Sequence, residues 1–269
     1  MTPAIVVPAT RTGSCRRPAG WAWIAAACLA LSAACRPAAA DPNDYIQDLD
    51  FAGGEKEIDM QMGAATATPD GAPALEGAAV SYEVGITDRV LSETYLQFAN
   101  STPGSTGGGI DGFTEEGVFR FTDPGEYWAD FGAMLEVEHP RVWSQGWYLT
   151  LSPMLQTDVG DVQVNLNPMV TKIVGGPAYG AATQLGFQYQ FRVRTAGPLD
   201  YGIQGFGYGK SWAAENVVFN RWNNVGPAIF GRFPLDSGRA IQFDAGLLFG
   251  TSNDAPKSTL RAQVEYEFY

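Results

Sequence analysis

The last ten residues of the chain, Leu260–Tyr269 (LRAQVEYEFY), alternate between two kinds of side chain. Charged or amide residues separate the apolar ones. Successive side chains on a β-strand point to opposite faces. The stretch therefore predicts a strand with one apolar and one polar face, running to the C-terminus. Its apolar members are Leu260, Ala262, Val264, Tyr266 and Phe268.

The same alternation recurs along the chain from residue 55 onward. It is clearest at 127–138 and 183–194, where apolar residues alternate with acidic, amide or basic ones. Period-two runs of this length indicate strands rather than helices. We predict twelve strands, at about 55–64, 77–86, 89–99, 110–122, 127–138, 147–156, 161–173, 183–194, 200–210, 223–233, 239–250 and 258–269.

The segments between these strands alternate in length. Short turns rich in Asp, Ser, Pro and Gly follow every second strand, for example 123–126 (DPGE), and longer loops such as 211–222 lie between them. This alternation is typical of transmembrane β-barrels. We therefore predict an all-β chain, with a single antiparallel up-and-down transmembrane β-barrel over 55–269. An even strand number places both termini at the short-turn end, which faces the periplasm.

Two soluble all-β folds compete with this interpretation. A β-sandwich directs its apolar parity into a core, and a lipocalin-like barrel closes with about eight strands. Strands of about ten residues instead match the roughly 9–11 that cross a bilayer at a tilt. The tryptophans after the leader all lie near predicted strand ends, where membrane proteins place aromatic belts. They are Trp128, Trp143, Trp147, Trp212 and Trp222.

The first forty residues resemble a secretory signal peptide. Arginines precede the apolar run 21–34, and Ala38 and Ala40 occupy the small-residue positions of a cleavage site. We expect residues 1–40 to be removed and 41–54 to form a short periplasmic lead-in to the barrel. Two alternatives remain open at this stage: the apolar run as a membrane anchor helix, and lipidation of Cys35.

The chain after the leader is strongly acidic. The leader carries four of the 17 Lys and Arg and none of the 29 Asp and Glu, which leaves 13 basic against 29 acidic side chains. Phosphate binding needs clustered basic residues, so nucleic acid is not an expected partner. The three cysteines, Cys15, Cys28 and Cys35, all precede residue 41. We therefore expect neither disulfides nor thiol chemistry in the barrel.

The C-terminal strand resembles the terminal signature of bacterial outer-membrane proteins, in which the last strand closes the barrel and is read by the barrel assembly machinery. Val264, Tyr266 and Phe268 match the outward positions of that signature. Tyr269 departs from it, because the usual pattern ends on the in-register aromatic residue. The resemblance implies an outer-membrane location, with membrane lipid and the assembly machinery as partners.

A narrower resemblance covers the last fifty or so residues. Gly226-Pro227-Ala228, the run 240–250 (AIQFDAGLLFG) and Asp254-Ala255-Pro256 look like the end of the outer-membrane transporters named after meta-pathway phenol degradation. The resemblance implies a barrel that passes small molecules, with aromatic compounds among the candidates. It supplies no site residues.

No pattern of catalytic or cofactor-binding residues is found. His139 is the only histidine, and a His-based metal site would need further Cys or His ligands. Ser144 lies nearby, but Pro140 and a predicted loop separate it from His139. No nucleophile elbow or phosphate-binding glycine loop is present. We expect no enzymatic activity, no cofactor and no metal.

Function is expected to depend on the polar parity, which faces the lumen of a membrane barrel. Opposed charges there would select small solutes by size and charge, with cations favoured. The sequence thus predicts a passive channel or uptake barrel; the alternative is a closed structural or partner-binding barrel without conductance. Oligomeric state is left open. The candidate lumen-lining residues are Asp59, Glu83, Arg120, Asp130, Glu136, Glu138, Gln188, Arg192, Arg194, Arg232, Asp244, Arg261, Glu265 and Glu267.

Overall fold

The computed structural model describes residues 45–71, 74–99, 109–141, 146–175, 183–208, 222–236 and 238–269. This part of the chain forms twelve strands, and no helix within it is long and apolar enough to cross a membrane. In chain order the strands are β1 (Lys56–Ala65), β2 (Leu75–Thr87), β3 (Val90–Ala99), β4 (Gly109–Arg120), β5 (Asp130–Pro140), β6 (Trp147–Val159), β7 (Val162–Val174), β8 (Gln184–Val193), β9 (Leu199–Tyr208), β10 (Trp222–Asp236), β11 (Arg239–Gly250) and β12 (Ser258–Phe268).

The strands form a closed antiparallel barrel in which each strand pairs with its neighbours in sequence. The last strand also pairs with the first, from Lys56 opposite Phe268 to Ala65 opposite Thr259. Closure satisfies the backbone groups that would otherwise be exposed at the two edge strands. The predicted fold class is confirmed, and the strands lie within a few residues of the expected positions.

The outer face of the barrel carries the apolar parity. In β1, Ile58 and Met60 are 48% and 50% exposed, whereas their neighbours Asp59 and Gln61 are 3% and 2% exposed. The other strands expose Leu, Ile, Val and Phe in the same way. Apolar exposure on this scale is not tolerated on monomeric soluble proteins, but it suits a lipid environment. The apolar-outward direction is opposite to that of a β-sandwich.

Aromatic residues flank this apolar surface at both ends. Trp128 is 73% exposed beside the turn that joins β4 to β5, and Trp147 is 42% exposed at the opposite end, where β6 begins. Trp143, Trp212 and the side chain of Trp222 lie outside the described residues. The two described tryptophans thus occupy the positions that an interfacial belt requires.

Residues 45–54, which we call the lumenal segment, lie inside the barrel. The sequence predicts a periplasmic lead-in over 41–54, and the structure differs from that expectation over the described part. Tyr45, Leu49 and Phe51 are buried, and the segment forms hydrogen bonds to side chains of β4, β6 and β7. The physical reason is that the segment supplies apolar groups and hydrogen bonds to an interior that would otherwise be filled by water. Residues 41–44 lie outside the described residues.

The barrel wall contains glycines where a neighbouring strand's backbone comes very close. A Cβ built on Gly226 of β10 would lie 2.0 Å from the carbonyl oxygen of Leu247 in β11. By contrast, a Cβ on Gly117 of β4 would be 3.5 Å from its nearest neighbour, a ring carbon of Phe119. The first position therefore excludes any side chain, and the second accepts a methyl group.

We expect the Gly226→Ala substitution to destabilise the barrel by about 1–3 kcal/mol, because the methyl group forces two paired strands apart. The matched substitution Gly117→Ala is expected to change the free energy of unfolding by less than about 0.5 kcal/mol. Urea unfolding in detergent micelles, followed by tryptophan fluorescence, measures both. Equal midpoints for the two variants would contradict the steric explanation.

Candidate functional site in the barrel lumen

A polar cavity of about 660 Å³ lies between the lumenal segment and the barrel wall. Its lining includes residues from the short turns, such as Pro124 and Pro198, and the C-terminal Tyr269. The cavity therefore reaches the short-turn end of the barrel. The cavity is lined by carboxylates of β1–β3 and β12 and by guanidinium groups of β8 and β10.

One row of inward-facing glutamates crosses six adjacent strands, with its members directly opposite one another in the pairing register. We call it the glutamate row. It begins one residue from the end of β12 and reaches the middle of β5, so it climbs from the short-turn rim into the barrel. The row consists of Glu267, Glu57, Glu83, Glu93, Glu116 and Glu136.

The glutamate row concentrates negative charge at short spacing. Residues paired across strands have their Cβ atoms about 4.5–5.5 Å apart, and like charges directly opposite each other are destabilising. Within the described residues, no Lys or Arg pairs with Glu57, Glu83, Glu93 or Glu116. Asp59 lies two residues from Glu57 on β1, and Glu265 lies two residues from Glu267 on β12. They add two more carboxylates to the same wall. The row therefore attracts positive charge, whether protons or cations.

Four of the arginines in and near the cavity differ from most of the glutamates because each has an acidic partner, whereas Arg120 bonds to backbone carbonyl groups. Arg192 lies 2.8 Å from Asp200, and Arg194 lies 3.0 Å from Asp158. Arg232 pairs with Glu267 at the start of the glutamate row. Deeper in the lumen, Arg261 and Asp244 lie 3.1 Å apart and both are largely buried. The pairing neutralises these guanidinium groups, so the uncompensated charge of the lumen is negative.

Arg120 of β4 anchors the lumenal segment. Its Nη1 donates hydrogen bonds to the carbonyl oxygens of Leu49 at 2.9 Å and Phe51 at 3.2 Å, and its Nη2 donates to the carbonyl oxygen of Asp88. The guanidinium carbon also lies 4.7 Å from the centre of the Phe51 ring. Hydrogen bonds from a charged donor contribute more than neutral ones. One side chain thus holds the segment and a short turn together.

Further polar contacts fix the path of the segment inside the barrel. The Tyr45 hydroxyl donates to Glu116 at 2.6 Å, and the Leu49 amide donates to the Gln156 side-chain oxygen at 3.1 Å. Asn167 donates to the carbonyl oxygen of Gln47 at 2.7 Å. These bonds join the segment to β4, β6 and β7, so it is attached to the part of the wall that these neighbouring strands form.

Apolar side chains surround the centre of the segment. Leu49 and Phe51 form one buried cluster with inward-facing residues of five strands, β3 to β7. The inward parity is therefore not uniformly polar. Burial of two large apolar side chains adds about 1.5–3 kcal/mol each to the attachment of the segment. The wall members of the cluster are Leu91, Val118, Met134, Met154 and Met169.

Asp48 gives the lumenal segment a response to pH. Burial raises the pKa of its carboxyl from 3.8 to about 7, and the neighbouring charge of Asp50 acts in the same direction. The Asp50 amide donates to the Asp48 carboxylate at 2.8 Å, which opposes the shift without cancelling it. The protonated form of Asp48 is therefore the one that the folded arrangement favours.

Nine of the predicted lumen residues border the cavity: Asp59, Glu83, Arg120, Arg192, Arg194, Arg232, Asp244, Glu265 and Glu267. Five others lie elsewhere. Glu136 and Glu138 are half-buried higher in β5, and Gln188 is buried in β8. Arg261 is bonded to Asp244 and Gln204 deep in the barrel, and Asp130 accepts the Gly125 amide in a turn. Whether any of them acts on a solute stays a prediction.

Sequence reasoning missed Glu93 and Glu116 because their strands lack a clean alternation, and it missed Glu57 because a charged run, 55–57 (EKE), precedes the first apolar residue of β1. Glu116 follows Glu115 directly, so the charge does not show which of the two faces inward. In β3, Leu91 and Tyr95 share the inward face with Glu93. The signal that identifies them is register, which places each opposite another acidic residue.

Two further residues that the sequence singled out, His139 and Tyr269, make defined contacts. The His139 ring packs edge-on against Trp147 at 4.9 Å between centroids, and Ser144 lies outside the described residues. Tyr269, which overhangs the expected terminal signature, donates its hydroxyl to Glu55 at 3.2 Å. The C-terminus is thereby tied to the start of β1. The assembly role of Val264, Tyr266 and Phe268 stays a prediction.

Comparison with solved structures shows the same fold. An outer-membrane channel from Pseudomonas putida F1 is similar with a TM-score of 0.55 and 14% identity, over 86% of this chain and 99% of that one. The translocator domain of the autotransporter NalP from Neisseria meningitidis gives a TM-score of 0.43 and 8% identity, over 93% and 96%. The second likeness is too loose to carry an argument. No family model and no curated protein matches the chain.

We expect the Arg120→Ala substitution to release the lumenal segment. The change removes two charge-assisted hydrogen bonds to the segment, and each such bond is worth about 1.5–3 kcal/mol. Chymotrypsin cleaves after Tyr45, Leu49 or Phe51 only when the segment is exposed, so cleavage of the folded barrel in detergent should accelerate about 10-fold or more.

The matched control is Arg89→Ala. Arg89 lies at the same end of the barrel, bonded to Asp123 and to the Phe121 carbonyl oxygen, and the structure shows no hydrogen bond from it to the lumenal segment. Its loss should leave the cleavage rate unchanged. Equal rates for the two variants would mean that Arg120 does not hold the segment.

Release of the segment should also depend on pH. A carboxyl whose pKa is raised on folding contributes stability that is complete below its unfolded value, 3.8 for Asp48, and is lost as the pH rises through the folded value, about 7. Cleavage by chymotrypsin, corrected with a free peptide substrate, should therefore rise between pH 5 and pH 8. The Asp48→Asn variant should show a flat profile. A wild-type profile as flat as that of the variant would exclude Asp48 as the titrating group.

Proposed function

We propose that this protein is an outer-membrane channel or uptake barrel through which small solutes diffuse, with a preference for cations. The observation that carries the proposal is the polar cavity of about 660 Å³ inside a closed barrel. Its lining includes carboxylates that form no salt bridge among the described residues, such as those of Glu57, Asp59, Glu83 and Glu93. Hydrated charge of one sign along a lumen attracts ions of the opposite sign and selects among solutes.

The outer membrane is the location that fits this fold. The exposed apolar band and the tryptophans at its two ends suit a bilayer, and the leader suits export. In that membrane the short-turn end, where β1 begins and β12 ends, would face the periplasm. The cavity would then open toward the periplasm, and the longer loops would face the exterior.

The class of solute follows from the volume of the cavity and from the residues that line it. A volume of about 660 Å³ lies within the range of roughly 300–1,000 Å³ found for small-molecule sites. The resemblance of the last fifty residues to meta-pathway transporters adds small aromatic compounds as candidates. Phe230 and Phe243, which line the cavity, would provide contacts for such compounds.

A closed barrel is the second candidate, and the lumenal segment is the observation that favours it. The segment lies inside the lumen and is held by Arg120, Gln156 and Asn167. If these contacts persist in the membrane, solutes do not pass and the barrel has a structural or partner-binding role. Conductance separates the two candidates directly.

The test is single-channel recording in a planar bilayer under a salt gradient. The channel proposal predicts discrete current steps and a reversal potential that is shifted toward the equilibrium potential of the cation. Arg120→Ala should raise the conductance several-fold by releasing the segment, and Arg89→Ala should not change it. A folded, heat-modifiable barrel that carries no current, even as the Arg120→Ala variant, would reject the channel and favour the closed barrel.

A further inference from the structure

We propose that Asp59, Glu83 and Glu93 form a binding site for a hard divalent cation of the calcium type. Their carboxylates project from three adjacent strands, β1, β2 and β3, into the lumen, and each offers an oxygen within 4.8 Å of the others. All three side chains are buried or nearly so, with relative exposures of 3%, 9% and 1%. The site lies on the glutamate row and borders the cavity.

The pairing register brings these groups together. Glu83 and Glu93 are directly opposite each other, and Asp59 is opposite Ser81, two residues from Glu83 on the same face of β2. Ser81 donates its hydroxyl to one oxygen of Asp59 at 3.3 Å. The three ligands are thus held by the paired strands of the wall and not by a flexible loop.

Unsatisfied polar atoms point to a missing ligand at this place. Oδ1 of Asp59 and Oε1 of Glu93 are buried without a hydrogen-bond partner. The hydroxyl of Tyr95, a residue only 3% exposed, lies beside the Glu93 carboxylate and forms no hydrogen bond of good geometry. Buried polar groups are normally satisfied, so three unsatisfied atoms on side chains of the same part of the wall indicate a missing ligand.

A cation meets this requirement better than any protein group nearby. Within the described residues, none of the three carboxylates forms a salt bridge. Three ionised carboxylates at this spacing repel one another strongly in a partly dehydrated wall. A divalent ion neutralises most of that charge, and a water molecule bound to the ion would accept the hydrogen bond of Tyr95.

The ligand chemistry favours calcium over transition metals. The site offers only oxygen atoms, which suit Ca²⁺ and Mg²⁺, whereas Zn²⁺ and Cu²⁺ prefer His and Cys. Ca²⁺ accepts an irregular arrangement of oxygen ligands such as side chains fixed on three strands provide, whereas Mg²⁺ requires a nearly ideal octahedron. The lumenal cavity supplies the access path and the remaining water ligands.

A second carboxylate group in the barrel shows the contrast. Glu55, Glu57 and Glu267 also lie close together, but Glu267 is paired with Arg232, and Glu55 accepts the Tyr269 hydroxyl. That group has protein partners for its charge. The Asp59 site has none among the described residues, which is why the inference is made there.

The consequence for the molecule is a cross-link beside the barrel seam. A bound ion would join the first three strands, and β1 closes the barrel against β12. Removal of the ion should therefore lower the thermal stability of the folded barrel. This inference does not depend on conductance, because a closed barrel would bind the ion in the same way.

The test uses the protein purified from membranes in detergent, treated with EDTA and titrated with Tb³⁺ near neutral pH. Terbium occupies calcium sites and emits when a nearby aromatic ring transfers energy to it, and Tyr45 and Tyr95 lie next to this site with their rings 5.7 Å apart. We expect tyrosine-sensitised emission that Ca²⁺ displaces. We also expect a higher midpoint of thermal unfolding with Ca²⁺ than with EDTA.

Glu93→Gln and Asp59→Asn should each weaken Tb³⁺ binding by about 10- to 100-fold and abolish the effect of Ca²⁺ on the unfolding midpoint. The control is Glu115→Gln, which removes the same charge from the outer face of β4, where Glu115 accepts a hydrogen bond from Thr94. It should bind Tb³⁺ as the wild type does. Glu83→Gln replaces either variant that fails to fold.

The proposal is overturned if the folded wild-type protein gives no displaceable emission and its unfolding midpoint is the same in Ca²⁺ and EDTA. In that case protons shared between the carboxylates neutralise the row. It is equally overturned if Glu93→Gln, Asp59→Asn and Glu115→Gln all bind Tb³⁺ like the wild type, because the ion would then sit elsewhere.

Discussion

The requirement that every backbone hydrogen bond be made within the sheet governs this structure. A sheet whose outer face is apolar cannot leave two edge strands open to lipid, because unpaired amide and carbonyl groups there cost several kcal/mol each. Pairing of β1 with β12 removes both edges at once. The chain must therefore alternate its side chains through twelve strands, and Tyr269 ties the closing strand to Glu55 at the seam.

Closure also determines what the lumen contains. Once one parity faces outward, every charged residue of the other parity is confined to a narrow interior, and antiparallel register decides which charges become neighbours. This is how six glutamates, distant in sequence, come to lie side by side across β12 and β1–β5. Arg192, Arg232 and Arg261 each have an acidic partner. The electrostatic repulsion between like charges is therefore concentrated in the glutamate row.

The lumenal segment also satisfies groups in the barrel interior. It brings Leu49 and Phe51 to the apolar part of the interior and backbone carbonyl groups to Arg120, which has no acidic partner among the described residues. The segment thus satisfies wall residues that a water-filled barrel would leave to solvent. It also narrows the path, so the same contacts that stabilise the interior control whether a solute can pass.

The sequence by itself determined the fold class, the number of strands, the side of each clean strand that faces lipid and the alternation of short and long connections. A period of two and the turn residues are local properties, so runs such as 127–138 or 258–269 contain them in full. It also placed Asp59, Glu83 and most of the arginines near the cavity on the inward face, since each is separated by apolar residues from the next polar residue of its strand.

Only the tertiary structure decided which of these residues meet. Register places Glu83 opposite Glu93 and both beside Asp59, and no local pattern encodes a register between strands. The path of residues 45–54 was likewise hidden, because a short irregular segment has no period and its position depends on distant partners such as Arg120 and Asn167. Alternation along a strand shows which face of the sheet a side chain is on. Only closure of the barrel determines which other groups that side chain meets.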